Sequence, residues 1–254
     1  MRPFSHRFLR CPPEAQAPWA ILMGDPARLD VLLGLLEDPH RIGQEREFAL
    51  VAGYYRGERI LGLSAGLGAP AVAIALEELH HLGVRAVVRA GTMLALHANL
   101  GDFILAWGAV RMEGTSITYL PVHFPAVADP DLFYSFRSVL IESGVPYQIG
   151  LAATSDGFYS VLLPGARSQT DVEKPLQILY RHGVVGADME TSALYITGMA
   201  LGVRCVSLCV ATVSGLDGHA LEDDQRRQKE ALLVWLALEG IVHFARGHGK
   251  GRER

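Results

Sequence analysis

Gly183-Val184-Val185-Gly186-Ala187-Asp188-Met189-Glu190-Thr191-Ser192-Ala193-Leu194-Tyr195-Ile196 runs from an apolar stretch, through an acidic-Met-Glu triplet, into a helical pattern. A strand handing over to a helix is the repeating step of α/β folds, which place ligands at the carboxyl ends of their strands. A carboxylate at such a junction can accept hydrogen bonds from two adjacent hydroxyls, the pair that a ribose presents. The triplet also has a plainer meaning, because Glu in a first helical turn favours the helix dipole. What else the chain carries decides between the two.

Outward from the triplet, apolar runs and helical patterns alternate. Ala20–Met23, Ala86–Val88, Phe103–Ala106, Ala109–Met112, Tyr147–Ala153 and Val203–Val210 read as strands. Leu50–Tyr55 and Arg59–Ser64 flank Arg56-Gly57-Glu58 as a hairpin. Leu29–Leu36, Ala71–Leu82, Asp131–Ser143, Thr191–Leu201 and Glu222–Ala245 have helical periodicity, and Gly83 and Gly144 stand where helices stop. The alternation predicts an α/β fold: a mixed, largely parallel sheet flanked by helices. There is no internal repeat and no linker rich in Pro, Gly or Ser, so residues 1–254 are expected to form a single domain. Its ends, about 1–15 and 247–254, are expected to fray.

The 254 residues are 50% hydrophobic and 20% charged, enough for a sizeable core in one domain. Net charge is −4 and the pI is near 6.2, with no basic clustering in the body of the chain. A nucleic-acid partner is therefore not expected. No run of eighteen apolar residues appears and the N-terminus lacks a signal-length apolar core, so neither a membrane partner nor export is expected. Cys11, Cys205 and Cys209 are an odd set, and the last two share one face of a strand. Buried thiols in a reducing cytoplasm are the simple reading, and no metal site is expected.

Four further segments carry candidate chemistry. In Met23-Gly24-Asp25-Pro26-Ala27-Arg28 a strand ends at a glycine, and Pro26 suits a first helical turn. Such a turn lets backbone N–H groups approach an anion, and Arg28 would offer a fork of donors to phosphate. A tight turn with Arg28 paired to an acid is the alternative. In Val88-Arg89-Ala90-Gly91-Thr92 an arginine closes an apolar strand, where it must be paired. It reads equally as a phosphate ligand or as a buried ion pair. Arg46-Glu47-Phe48 precedes the hairpin, and Thr154-Ser155-Asp156-Gly157-Phe158-Tyr159 follows a strand. Aromatics there could stack on a planar ring or simply fill the core. Walker, HExxH and GxGxxG signatures are absent.

Taken in order, these pieces resemble the nucleoside phosphorylase-I family, nearest in their motifs to bacterial uridine phosphorylases. The matching pieces are Gly24-Asp25-Pro26-Ala27-Arg28, Arg46-Glu47-Phe48, Gly66-Leu67-Gly68-Ala69-Pro70, Glu77-Glu78-Leu79, Arg89-Ala90-Gly91-Thr92, Phe124-Pro125-Ala126-Val127-Ala128-Asp129, Ser155-Asp156-Gly157-Phe158-Tyr159 and Asp188-Met189-Glu190. The resemblance implies a three-layer α/β/α fold, a cytoplasmic pentosyltransferase, and a homo-oligomer, namely a hexamer built from dimers. It implies phosphorolysis: nucleoside plus inorganic phosphate gives ribose 1-phosphate and free base, with no metal or organic cofactor. By position, Gly24, Arg28, Arg89 and Thr92 would hold phosphate, with Arg46 reaching the neighbouring subunit's phosphate. Asp188, Met189 and Glu190 would lie against the nucleoside, Glu190 on the ribose hydroxyls. Phe158 would stack near base or sugar, and His6 would correspond to a histidine donated by the neighbour.

The departures from the family pattern lie on the base side. Where the family has a small or hydroxyl residue and then glycine, this chain has Met93-Leu94. Val213-Ser214 is followed by Gly215, where purine phosphorylases of the family have an acidic residue and uridine phosphorylases an arginine. The uracil-reading Gln and Arg after the Phe-Tyr pair have only the shifted Arg167 and Gln169 as counterparts. Asp217 is close enough in sequence to serve as a displaced acid, or it caps the turn Leu216-Asp217-Gly218. Glu47 matches a residue that some relatives use for a monovalent cation, but Ala71 replaces the serine beside it. The expectation is an active phosphorylase with an altered base pocket. A purine nucleoside phosphorylase, a nucleosidase and a non-catalytic nucleoside-binding relative are the alternatives.

Overall fold

A computed structural model describes residues 8–12, 15–162 and 175–248. His6, Arg167 and Gln169 lie outside the described residues. The first strand, β1 (Trp19–Met23), is fully buried and leads into α1 (Ala27–Leu35). An exposed strand β2 (Glu37–Glu45) follows, then the hairpin β3 (Phe48–Tyr55) and β4 (Glu58–Ser64). Next come α2 (Ala69–His81), β5 (Ala86–Ala95), β6 (Phe103–Met112) and the two-residue β7 (Ala126–Val127). The chain continues through α3 (Pro130–Ser143), β8 (Tyr147–Ser155), a π-helical turn at Phe158–Leu162 and α4 (Pro175–Arg181). It closes with β9 (Gly186–Asp188), α5 (Thr191–Leu201), β10 (Arg204–Ser214) and α6 (Asp223–His248).

The sheet is mixed. Its centre, β4–β1–β5–β10, is parallel, and β2–β3–β4 is an antiparallel wing. Beyond the centre, β10 turns antiparallel to β6, β6 runs parallel to β8, β8 parallel to β9, and β9 antiparallel back to β5. Five strands thus close a ring at one end of the sheet. Closure needs strands to bend: β6 shifts register between Ala106 and Gly108, and β10 between Ala211 and Val213. Because of the first shift, the two expected segments Phe103–Ala106 and Ala109–Met112 are one strand.

Two apolar layers sandwich the sheet. Val72, Leu76 and Leu79 of α2 join Leu194, Tyr195 and Ile196 of α5 on one face. Leu29 and Leu32 of α1, Phe136 and Leu140 of α3, and Leu233 to Ala245 of α6 cover the other. Period-2 alternation along β10 explains the split, since Cys205 and Cys209 point to the first layer and Val206, Leu208 and Val210 to the second. Tyr195 ties α5 to the sheet: its hydroxyl donates to the Ala106 carbonyl at 2.5 Å and accepts from the Ser207 amide at 3.0 Å.

Two expectations about the chain ends change. Leu9 is buried, and its amide with that of Phe8 donates to the Glu78 carboxylate of α2. The Phe8 ring meets Phe48 at 5.3 Å between centroids. Residues 8 and 9 are therefore docked rather than frayed. At the other end α6 continues through Gly247 to His248, past the expected stop at Ala245. Among the described residues no helix is long and apolar enough to cross a membrane.

Candidate active site

Strands β1, β5, β9 and β10 point their carboxyl ends at one cavity of about 520 Å³. Gly24 follows β1, Thr92 and Met93 lie near the end of β5, Asp188 closes β9, and Thr212 and Val213 are near the end of β10. Gly24, Arg28, Arg89, Thr92, Met93, Phe158, Asp188, Met189 and Glu190 all line it. The ordered motifs that lie up to 166 positions apart in sequence therefore share one wall in space.

Arg89 is the hub. The residue is 7% exposed, and its guanidinium folds back over its own strand. A Cβ on Gly91 would sit 2.2 Å from Nη1 and 2.5 Å from Cζ of Arg89, so only glycine leaves room for this conformation. Nη2 donates to Glu190 Oε2, and Nη1 faces Asp188 Oδ2 at 3.3 Å and donates to the Cys209 sulfur. Burial opposes the charge on Arg89, but Cys209, Glu190 and Asp188 outweigh it and raise the pKa above the ordinary arginine value. The same burial pushes the Cys209 thiol up, against the pull of Arg89. Arg89 is thus a buried ion-pair partner that also lines the cavity.

Asp188 and Glu190 divide the work. Asp188 accepts from Thr154 Oγ1 at 2.8 Å, Thr191 Oγ1 at 2.5 Å and the amides of Glu190 and Thr191 at 3.2–3.3 Å. It closes the first turn of α5 and braces Arg89, and it is committed to the protein rather than to a ligand. Among the described residues, Glu190 accepts from Arg89, from its neighbour Met189 N at 3.3 Å and from Gly68 N at 2.8 Å. Gly68 takes a positive φ of 94°, a backbone state that suits glycine and aims this amide at the carboxylate. Four lone-pair sites on a carboxylate leave Glu190 with acceptor capacity towards the cavity.

Arg28 is also buried, at 6% exposure. Nη1 donates to the Ala90 carbonyl at 3.0 Å, and Nη2 lies 3.7 Å from Glu230 Oε1 of α6. Burial lowers its pKa, Glu230 pulls it up, and Arg89 pushes it down again. Arg28 Nε finds no hydrogen-bond acceptor among the described residues. A buried donor without an acceptor is costly, and an oxyanion in the cavity would satisfy it.

The remaining wall is carbon. Met93 and Leu94 are buried, and with Leu162, Val213 and Phe158, itself 42% exposed, they add apolar lining to the cavity. At Gly215 a Cβ would lie 2.9 Å from Leu96 Cδ2 and 3.1 Å from the Ala95 carbonyl oxygen. A side chain at this position would have to displace the Leu96 side chain and press on the Ala95 carbonyl.

Asp217 does not reach this cavity, and Arg46, expected at a neighbouring subunit's phosphate, does not line it. Asp217 is fully exposed on its turn, with Oδ1 accepting from His219 N at 3.1 Å. Its pKa is lowered by the Ser214 hydroxyl and the His219 amide. It caps the turn and is not an acid for the site. Arg46 is exposed, at a positive φ of 56°, with its guanidinium 5.7 Å from the Phe8 ring centroid. Conversely, Thr212 and Arg226 line the cavity unannounced. Arg226 hides in Glu222-Asp223-Asp224-Gln225-Arg226-Arg227, which reads as an ordinary solvated helix start. Its only signal is the Arg226–Glu230 spacing of four.

Known proteins share this architecture. The sequence pattern of the phosphorylase superfamily matches residues 18–234. The chain is 32% identical over 231 residues to a uridine phosphorylase of Thermococcus kodakarensis, covering 89% of this chain and 82% of that one. It is 30% identical over 215 residues to a guanosine phosphorylase of Halorubrum lacusprofundi, covering 83% and 85%. The crystal structure of a uridine phosphorylase from Vibrio fischeri superposes with a TM-score of 0.83 at 30% identity, over 95% of this chain and 99% of that one.

Proposed function

The chain belongs to the phosphorylase superfamily, and on that premise we propose that it is a nucleoside phosphorylase, a pentosyltransferase that converts a nucleoside and inorganic phosphate to ribose 1-phosphate and free base. The observation that carries the reading is the grouping of Arg28, Arg89 and Thr92 with Glu190 in one cavity. Glu190 takes the ribose hydroxyls while Arg28, Arg89, Thr92 and the Gly24 turn hold phosphate under the anomeric carbon. A phosphate oxygen then bonds to C1′ as the bond from C1′ to the base nitrogen breaks, and its electron pair leaves with the base. Holding both reactants in this geometry supplies much of the acceleration. The clamped anion also stabilises the cationic sugar of the transition state. Phosphate is the co-substrate, and no metal or organic cofactor takes part.

Phe158 stacks on the base or the sugar, and the apolar wall of Met93, Leu94 and Val213 receives the base. Relatives of equal identity carry the names uridine and guanosine phosphorylase, so the base is decided by this wall. The protein works in nucleoside salvage in the cytoplasm, as a hexamer built from dimers in which Arg46 and His6 serve a neighbouring copy's site. Exposed Met112, Ile117, Val122 and Phe124 follow one another along one stretch and suit burial between copies. A panel of pyrimidine and purine nucleosides, incubated in phosphate and read for free base by chromatography, tests the reading. Base release from at least one member supports it, and no release from any contradicts it.

A further inference from the structure

The phosphate side carries one charge arrangement that the proposed reaction does not use. Glu230 of α6 points Oε1 at two arginines. Arg226 Nε holds that oxygen at 2.9 Å, a hydrogen bond, whereas Arg28 Nη2 stands off at 3.7 Å. Glu230 is 12% exposed and Arg226 46% exposed, and Arg226 lines the cavity. A carboxylate beside a phosphate subsite is a hazard, because it repels the anion and competes for the same donors. Arg28 is the donor at stake, being buried with its Nε unpartnered among the described residues.

We infer that Arg226 is a positioning residue of the phosphate subsite: it holds the Glu230 carboxylate away from Arg28 and keeps the Arg28 donors available to phosphate. The inference rests on the phosphorylase reading. Without Arg226, Arg28 is the one remaining cationic partner of Glu230 among the described residues, and Glu230 Oε1 closes the gap to Arg28 Nη2. Phosphate must then displace a charge-assisted hydrogen bond before it binds.

Isothermal titration of inorganic phosphate into the full-length protein tests this. Arg226→Ala is expected to weaken phosphate binding about 10-fold, the loss of one such competition. Arg226→Lys, which keeps a cation for Glu230, is expected to restore most of it. The discriminating arm is Glu230→Gln, which removes the competitor: in that background Arg226→Ala is expected to change phosphate affinity by less than about 3-fold, because the two residues act as a unit. Wild-type protein that binds no phosphate overturns the phosphorylase reading and this inference with it. Wild-type binding with no effect of Arg226→Ala, or an equal loss in both backgrounds, overturns the inference alone.

Discussion

The two sides of the cavity are built on different principles. On the phosphate and sugar side, charged groups are fixed by partners on separate elements: Arg89 from β9, α5 and β10, Arg28 from β5 and α6, Glu190 from β5 and the turn before α2. On the base side, Met93, Leu94, Leu162 and Val213 present carbon, and a side chain at Gly215 would have to push aside Leu96 and the Ala95 carbonyl. The first side demands exact residues, because each charge is buried and answers another. The second demands only shape. Chemistry is therefore expected to fail abruptly on one side, and selectivity to drift gradually on the other.

The largest break is expected at the hub. Arg89→Ala should lower kcat/KM by about 10³-fold or more, beyond the roughly 10²–10³ typical of one lost electrostatic donor, because it also frees Glu190. It leaves Asp188 and Glu190 as buried carboxylates without their cation, which costs about 3–5 kcal/mol and lowers the melting temperature in calorimetry. Gly91→Ala separates the two effects. It keeps the charge but evicts the guanidinium from its place, so activity is expected to fall by a similar factor in steady-state assays. Wild-type activity in Gly91→Ala would break the claim that Arg89 works in this folded-back pose.

Glu190→Gln comes next, with an expected loss of about 10²-fold in kcat/KM. Asp188→Asn acts on the brace rather than on the ligand. It is expected to destabilise the fold by about 1–3 kcal/mol in thermal unfolding, and its kinetic loss should be smaller than that of Glu190→Gln. A reversed order would mean that Asp188 is the ligand.

On the base side the effects shrink. Phe158→Ala is expected to cost about 10-fold in kcat/KM, the scale of one lost base–aromatic stack. Met93→Thr should reorder the preferred nucleosides by about 10-fold or more while leaving phosphate affinity unchanged, since one or two methylenes in a pocket discriminate on that scale. The smallest effect is expected from Asp217→Asn. The residue is exposed and serves its own turn, so kcat/KM should change by less than about 2-fold. A large loss there would bring that turn into the site.

The same contrast explains what could be read before any coordinates. The parallel centre was legible because Ala20–Met23, Ala86–Val88 and Val203–Val210 are short continuous apolar runs between helical patterns. Thr191–Leu201 matches α5 at both ends, with αL Gly202 as its stop. The strand β2 was not legible: Glu37–Glu45 is mostly polar and exposed, with Ile42 its one large apolar residue, and pairing with β3 makes it a strand. Ring closure was not legible either, since it depends on register shifts that leave no periodic trace. In the site, Arg89 stood out because a charge in an apolar strand needs a reason, and Arg28 and Glu190 because they sit at strand-to-helix junctions, where α/β folds place ligands. Arg226 did not, because a charge in a polar helix start needs none. Asp217 was drawn towards the site by sequence proximity to Gly215, and the turn it caps carries it away.

The central claim is that phosphate, held by Arg28 and Arg89, is the nucleophile. The most direct measurement takes the best nucleoside of the panel, supplies or withholds inorganic phosphate from dialysed protein, and follows the sugar product by phosphorus NMR. The account predicts base release only with phosphate present, with one ribose 1-phosphate formed per base released. Base released at the same rate without phosphate, giving free ribose, would contradict it.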